Sequence, residues 1–420
     1  MTLPVLVVSE WSTTTPETPV SGQILKNLSL TDADRKLLDA MSRTTLRCTE
    51  LRSGLSIKVG QHIGTVNLSS LRLVIQPKIR ISNLLKMIAY AFSLSDMHID
   101  ELLTSYLRAD SGLVDLLGLA LLREVELIVR GGLLPNYVQR EEDLGTLRGR
   151  IDLRFHATHP RQSTLRCSYE DLTLDHELNQ ILAEGLRCTS RIVQSNELQY
   201  DLARRADQFF GDLSRVRLNG ERLQQILNQL DRRSARYRNA LGLIQLIISG
   251  ACLGEHVHRG EMPLSGFLLD MNLAFERFLE RYLTENCPRH MRISTQESRS
   301  DIYEYVENTS GWSTPSIRPD LVIRDRKEVV AIADAKYKNR LDHAPTSGEL
   351  YQLITYGLSY QMPEPRTVLM LHPLSHGQED KQTMLSFHPH SSSQQVKIKL
   401  VGVPLDQIME GNARCWWPLN

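Results

Sequence analysis

No Cys-x-x-Cys pair occurs among the six cysteines, Cys48, Cys167, Cys188, Cys252, Cys287 and Cys415, which argues against a zinc site or a disulfide framework. No apolar run reaches the roughly 18 residues that a membrane span requires. The longest, Leu241 to Gly254, is interrupted by Gln245 and carries three glycines, so it reads as a buried helix. Net charge is also missing: 49 Lys plus Arg balance 49 Asp plus Glu, which excludes a protein that holds nucleic acid by bulk charge and makes any phosphate contact a local matter. Met1 to Ser12 lacks a basic leader and a long apolar core, so no secretory signal is expected and a reducing cytoplasm is the expected compartment. There is no Gly-Lys dipeptide, hence no G-x-x-x-x-G-K-[ST] phosphate loop, and no internal repeat.

What is present is enough chain for two or three domains, 420 residues at 41% hydrophobic and 23% charged, a composition that suits an ordered globular protein. The fold class expected is a multidomain α+β protein. Residues 1–20, with Pro16 and Pro19 after Ser12 to Thr15, read as a flexible lead-in. Residues 21–90 read as a β-rich amino-terminal module, with short segments punctuated by Gly54, Gly60 and Gly64 and a strand ending at Pro77. Residues 91–263 read as a mainly helical middle domain. There Leu119 to Arg130 stops at Gly131-Gly132, an extended stretch covers Leu147 to Phe155, Asp175 caps a helix through Cys188, and amphipathic segments follow at Leu202 to Phe210, Glu221 to Leu230 and Arg238 to Cys252. Residues 264–420 read as an α/β domain: a helix from Asp270 to Asn286, strands at Arg292 to Ser294, Asp301 to Val306, Pro319 to Arg324 and Glu328 to Tyr337, a helix from Gly348 to Tyr360, then strands near Thr367 to Leu371 and Lys397 to Val403.

No lysine lies between Lys86 and Lys327, so arginine, which grips phosphate bidentately, carries the fixed positive charge of the middle region. Arg148, Arg150, Arg154, Arg161 and Arg166 crowd a stretch holding one acid, Asp152, and Arg232, Arg233, Arg236 and Arg238 form a second cluster. Both suit a nucleic-acid backbone. Solvated helix faces are the competing reading, because 17 bases meet 15 acids between Arg140 and Arg238.

The strongest chemical signal is Arg318-Pro-Asp320-Leu-Val-Ile323, a turn, then Val330-Ala-Ile-Ala-Asp334-Ala-Lys336-Tyr337. Asp334 and Lys336 lie two apart on a strand and share a face. Asp320 joins them only if the hairpin loop has an odd number of residues or a bulge compensates; an even hairpin turns it away. With that register, two carboxylates offer hard oxygen ligands to Mg²⁺ and leave room for water and a substrate phosphate. Lys336 then sits beside the nucleophile or the phosphate. An exposed ion pair at a sheet edge is the plainer reading. It is disfavoured because Val329 to Ala333 has the composition of a strand buried on both faces, where Asp and Lys are costly unless paired or metal-bound. Glu276, on the helix upstream, reaches the metal directly or through water, or is an exposed salt-bridging glutamate. Gln352 and Tyr356 share a helical face and orient Lys336, touch the phosphate, or make a half-buried polar contact.

Asp320, Asp334-Ala-Lys336 and Gln352-x-x-x-Tyr356, in that order, resemble the PD-(D/E)xK nuclease superfamily. Leu73-Val-Ile-Gln-Pro-Lys78, Gly149-Arg-Ile151, Asp175-His-Glu-Leu-Asn-Gln-Ile-Leu182 and Phe267-Leu-Leu-Asp-Met-Asn-Leu-Ala-Phe-Glu276 look like McrC, the nuclease subunit of McrBC modification-dependent restriction systems. The resemblance covers nearly everything beyond about residue 20. It implies a C-terminal PD-(D/E)xK nuclease domain with Asp320 and Asp334 as metal ligands, Lys336 as catalytic lysine, and Gln352 and Tyr356 as supporting helix residues; Mg²⁺ or Mn²⁺ is the expected ion, and Glu276 stays a further candidate ligand. It implies a McrB-like AAA+ GTPase hexamer as partner, capped and stimulated by this subunit, with modified double-stranded DNA as substrate and no membrane. Two other functions stay open: a non-cleaving activator of the ring, which intact Asp320, Asp334 and Lys336 disfavour, and a stand-alone repair nuclease.

Weaker patterns fall away. Glu255-His256-Val-His258 has no third ligand at recognisable spacing, and His388 with His390 offers no more. Gly131-Gly132 precedes Leu133-Leu-Pro135, a helix stop rather than a phosphate turn.

Overall fold

The computed structural model describes residues 4–19, 22–41, 45–92, 94, 112–159, 163–251, 266–307, 309–338, 344–374, 383–388, 395–411 and 416–419. The chain forms two compact units, Met1–Ile99 with Leu268–Asn420, and Asp100–Phe267. Chain order begins with β1 (Val5–Ser9), β2 (Thr13–Thr14), α1 (Gly22–Leu25), α2 (Asp32–Ala40), β3 (Leu46–Leu51), β4 (Gly54–Val59), β5 (His62–Asn67), β6 (Arg72–Gln76) and α3 (Ile81–Ala91). Residues 5–9, expected as part of a flexible lead-in, instead form a strand: β1 alternates exposed and buried positions and pairs in parallel with β6 from Val5 opposite Arg72 to Ser9 opposite Gln76. The apolar, β-branched run Val-Leu-Val-Val is the available signal, and the nearby prolines mask it. Two small sheets result, ordered β2-β4-β3 and β1-β6-β5 followed by β10 (Gly266–Asp270).

The unit Asp100–Phe267 carries α4 (Leu113–Arg130), β7 (Asn136–Leu144), β8 (Arg150–Ile151), α5 (Leu153–Thr158), β9 (Leu165–Thr173), α6 (Glu177–Ser190), α7 (Asn196–Phe210), α8 (Gly220–Gln229) and α9 (Arg238–Ala251). Leu182, Leu186, Leu202, Phe210, Leu241 and Ile244 are buried at the helix contacts. The extended stretch expected over Leu147 to Phe155 is mostly not strand. Only Arg150–Ile151 pairs with β9, and Asp152 then caps a short helix by accepting from the Phe155 N–H at 3.0 Å. Gly149 has φ 68°, and a Cβ there would lie 2.5 Å from the Ser168 carbonyl oxygen, so the Gly-Arg-Ile block needs glycine for both conformation and space. Asp175 is not the cap of α6, which starts after His176. Its carboxylate instead accepts from the Ser214 hydroxyl at 2.6 Å and the Gln180 amide at 2.8 Å. Asn179, fully buried in the same block, donates to the carbonyls of Leu134 and Leu174 and accepts from the Tyr237 hydroxyl at 2.8 Å. That block is therefore a satisfied interior polar knot.

The chain continues with α10 (Met271–Glu285), β11 (Met291–Thr295), β12 (Leu321–Asp325), β13 (Glu328–Ala335), α11 (Ser347–Ser359), β14 (Arg366–Pro373), β15 (Thr383–Phe387), β16 (Val396–Val403) and α12 (Leu405–Met409). A six-stranded sheet runs β11-β12-β13-β14-β16-β15, antiparallel through β11, β12 and β13 and parallel from β13 through β14 to β16. The parallel strands are the near-continuous apolar runs Val329 to Ala333 and Val368 to Leu371, as burial on both faces requires. No strand forms at the expected Asp301 to Val306. Asp301 and Ile302 lie in a turn, with the Asp301 carboxylate 2.6 Å from the Arg299 guanidinium, and the nearest pairing is the isolated bridge of Arg299 to Ile317.

Thr346 and Glu349 form a capping box at the start of α11, and the helix packs on β14 and β16. A Cβ at Gly357 would lie 2.7 Å from Val396 Cγ1 and 3.1 Å from Val368 Cγ2. Gly357→Ala is therefore expected to lower stability by about 1 to 2 kcal/mol despite the better helix propensity of alanine. Thermal melting reads this directly, and an unchanged or raised midpoint would show that the helix can lift from the sheet at no cost.

Candidate active site

β12 and β13 are joined by the two-residue turn Arg326-Lys327, with Arg326 in the left-handed region at φ 53°. That is an even hairpin, the type expected to turn Asp320 away. Asp325 faces Glu328 and Arg324 faces Val329, but Ile323 faces Ala331, so Val330 is an extra residue on β13. Beyond this bulge Leu321 faces Ala333; Asp320 immediately precedes β12, and Asp334 follows Ala333 on β13. The bulge thus reverses the parity of the turn and brings the two aspartates to the same rung.

The local bonding follows. The Asp320 carboxylate accepts from the Ala335 N–H at 2.7 Å, and Lys336 Nζ lies 2.7 Å from Asp334 Oδ2. Asp334 is 1% exposed. The Lys336 backbone N–H donates to the Leu371 carbonyl of β14 at 2.8 Å, which ties the strand end to its neighbour. Burial, with Asp334 and Glu276 nearby, pushes the Asp320 carboxyl up to about 8, against the Ala335 hydrogen bond and the Lys336 charge. Burial works against the Lys336 ammonium, yet the charge and hydrogen bond of Asp334, with the charges of Asp320 and Glu349, together outweigh it and raise the pKa above the ordinary lysine value. Lys336 therefore holds its proton firmly.

Glu276 projects from α10 and accepts from the Gln296 side-chain amide, which also donates to Glu280 at 3.0 Å. Burial, then Glu280 and Asp334, raise its carboxyl, so it lies within electrostatic reach of the aspartates. Gln296, at φ 52°, also donates its backbone N–H to the Asp320 carbonyl at 3.1 Å. Nothing in the sequence marks Gln296, a loop residue whose role depends on β11 pairing with β12. The Gln352 amide donates to the Tyr356 hydroxyl at 2.8 Å, and Tyr356 donates to the Arg318 carbonyl at 3.2 Å. Burial first and Asp334 second push the Tyr356 hydroxyl up to about 12. The pair braces the chain entering β12.

Among the described residues no group of three or more His, Cys, Asp or Glu side chains is arranged to hold a metal ion. Two carboxylates do share one rung, and one of them is held protonated to about pH 8 partly by the other's charge. Mutual repulsion of buried hard-oxygen donors is the condition a divalent cation relieves, and Mg²⁺ is commonly held by one or two carboxylates with its remaining positions filled by water and phosphate. The donor set fits such an ion.

In the unit Asp100–Phe267, Arg148 donates to Asp171 at 2.8 Å and lies over the Tyr169 ring, Arg166 chelates Asp143, and Arg236 donates to the carbonyls of Gly131 and Gly132. Those three arginines have structural partners. Arg150, Arg154, Arg232 and Arg233 are exposed. Arg161, the Glu255-His256-Val-His258 pattern, His390, Cys252 and Cys415 lie outside the described residues. No helix among the described residues is long and apolar enough to cross a membrane.

A family model described as McrBC 5-methylcytosine restriction system component matches residues 57–373. The chain is similar in structure to a refined half-complex from the tetradecameric assembly of Thermococcus gammatolerans McrB AAA+ hexamers with bound McrC, with 18% identity, 97% of this chain and 99% of that chain covered, and a TM-score of 0.58. This likeness shows a shared fold. A cryo-EM structure of the Thermococcus gammatolerans McrBC complex matches at 19% identity over 68% of this chain and 88% of that one, with a TM-score of 0.44. No curated protein matches the chain.

Proposed function

Because the chain belongs to the family of McrBC 5-methylcytosine restriction system components, we propose that it is the nuclease subunit of such a system, hydrolysing phosphodiester bonds of modified double-stranded DNA. The observation that carries this reading is the bulged hairpin that sets Asp320 beside Asp334, with Lys336 ion-paired to the latter. The partner is a McrB-like AAA+ GTPase hexamer, since the McrC whose fold this chain shares is bound to AAA+ hexamers of McrB. The free thiols of Cys48, Cys167, Cys188 and Cys287 suit a reducing cytoplasm.

In this mechanism Asp320 and Asp334 would hold Mg²⁺, or Mn²⁺ in its place, which when bound would lower the pKa of water and offset negative charge developing on phosphate. Lys336 keeps its proton and so serves as a compact positive charge that orients the attacking water or a phosphate oxygen; it is not a proton acceptor. Tyr356 and Gln352 keep the Arg318 carbonyl, and thus the approach to Asp320, in place. Glu276, held by Gln296, would add a third carboxyl beside them. Arg150, Arg154, Arg232 and Arg233, exposed on their unit, and Arg148 are the candidates for gripping the phosphate backbone.

The test is plasmid cleavage by the purified chain with Mg²⁺, alone and then with a McrB-like AAA+ protein, GTP and modified plasmid. Cleavage only with the ring supports the proposal. Cleavage by the chain alone would identify a stand-alone nuclease, and stimulated GTP hydrolysis without any cleavage would identify a non-cleaving activator.

A further inference from the structure

Lys336 and Tyr337 are adjacent, so their side chains leave the strand end in opposite directions. Lys336 turns to Asp334. Tyr337, 3% exposed, is anchored three ways: its backbone N–H donates to Asn272 Oδ1 at 3.0 Å, its ring meets Phe275 edge-on with centroids 5.9 Å apart, and its hydroxyl donates to Glu10 Oε1 at 3.1 Å. The same Glu10 oxygen accepts from the Lys78 N–H at 2.7 Å, and the Glu10 N–H donates to the Gln76 carbonyl at 3.0 Å. Glu10 is thus fixed to the end of β6, and through it the amino-terminal sheet holds the strand end next to Lys336. A second arm reaches the same tyrosine. The Asp270 carboxylate caps α10 at Asn272 and accepts from the Gln61 amide at 3.3 Å, while the Met271 N–H donates to the Gln61 carbonyl at 3.1 Å.

Glu10 is itself anomalous. It is 1% exposed, and its Oε2 has no hydrogen-bond partner among the described residues. A half-satisfied buried carboxyl costs more than an apolar side chain of the same size would, and burial lifts it to about 7 against the Lys78 and Tyr337 hydrogen bonds. What the carboxyl supplies and an apolar group could not is a directional acceptor for Tyr337.

We propose that Glu10 is a positioning residue for DNA cleavage: through Tyr337 it sets where the Lys336 end of β13 stands against Asp334 and α10, across a sequence separation of 327 residues. This rests on reading Asp320, Asp334 and Lys336 as the cleavage site. A displacement of about 1 Å at a reacting group can lower rates by about 100-fold, so loss of one of three anchors is expected to cost roughly tenfold.

The experiment uses the full chain with the AAA+ ring and compares Tyr337→Phe, Glu10→Ala and Glu10→Gln. Cleavage kcat, KM for DNA, stimulation of partner GTP hydrolysis and Tm are measured for each. Tyr337→Phe and Glu10→Ala are expected to lower kcat roughly tenfold with KM and stimulation unchanged. Glu10→Gln, whose amide oxygen still accepts from Tyr337 and Lys78, is expected to restore most of the rate. Wild-type cleavage by Tyr337→Phe would overturn the proposal, as would a glutamine variant as slow as the alanine one, or stimulation falling in step with cleavage. If Glu10→Ala does not fold, Tyr337→Phe and Glu10→Gln decide the matter between them. Normal cleavage by Asp334→Ala would remove the nuclease reading itself and is a separate outcome.

Discussion

Alanine at Asp334 or at Lys336 is expected to lower DNA cleavage by roughly 10³-fold, while stimulation of GTP hydrolysis by the AAA+ partner stays at the wild-type level. The two variants lose the same activity for different reasons, and their stabilities should part. Lys336→Ala leaves Asp334, 1% exposed, without the ammonium at 2.7 Å that partners it, and it leaves two carboxylates on one rung with nothing positive between them. Breaking a buried pair in this way costs about 3 to 5 kcal/mol. Asp334→Ala leaves an ammonium that is partly open to solvent, with 24% of its side chain exposed, and it removes a charge that strains Asp320. Lys336→Ala should therefore melt well below Asp334→Ala. The measurement is a plasmid-cleavage time course beside a GTPase assay and a thermal melt. Cleavage retained by either variant would dismiss the assigned chemistry, and parallel loss of cleavage and stimulation would point to a folding defect.

Asp320→Asn is expected to stabilise the metal-free protein at pH 8 and to abolish cleavage at the same time. The sign follows from the direction of the shift: the folded-state carboxyl is raised from 3.8 to about 8, so the native state binds a proton more tightly than the unfolded chain does. That stability is fully present below the unfolded value and is lost as pH rises toward the folded one. The wild type should lose stability between about pH 4 and 8, and the asparagine variant should lack this part of the slope. The difference at pH 8 should be on the order of 2 kcal/mol or more, helped by an amide oxygen that can still accept from Ala335. Added Mg²⁺ should raise the melting point of the wild type and not of the variant, because a ligand stabilises only the state that binds it. A variant less stable than wild type at every pH would mean that Asp320 is a structural anchor and not a strained donor.

How much of this was readable beforehand varied with the range of the interactions. Asp334 and Lys336 were assigned to one face from the period of a strand, a property of three consecutive residues. The helix from Asp270 to Asn286, the packing run Val329 to Ala333 and the helix carrying Gln352 and Tyr356 are legible for the same reason. No strand forms from Asp301 to Val306 because the pattern there is local, whereas a strand needs a partner, and Asp301 and Ile302 lie in a turn. The expected lead-in departs in the opposite sense, since β1 exists by virtue of a parallel partner more than sixty residues on. Gln296 and Glu10 carried no signal, because each acts on a group distant in sequence.

The sequence by itself determined the chemical inventory of the candidate site and the family, because both depend on residue types at short spacings. Only the tertiary structure decided whether Asp320 belongs with them. The Arg326-Lys327 turn has the wrong parity, and the extra residue Val330 corrects it; both are compatible with the same string of letters, and pairing along the whole hairpin selects between the registers. The Glu10 contact with Tyr337 was decided in the same way, by sheet pairings that bring the two ends of the chain into one compact unit.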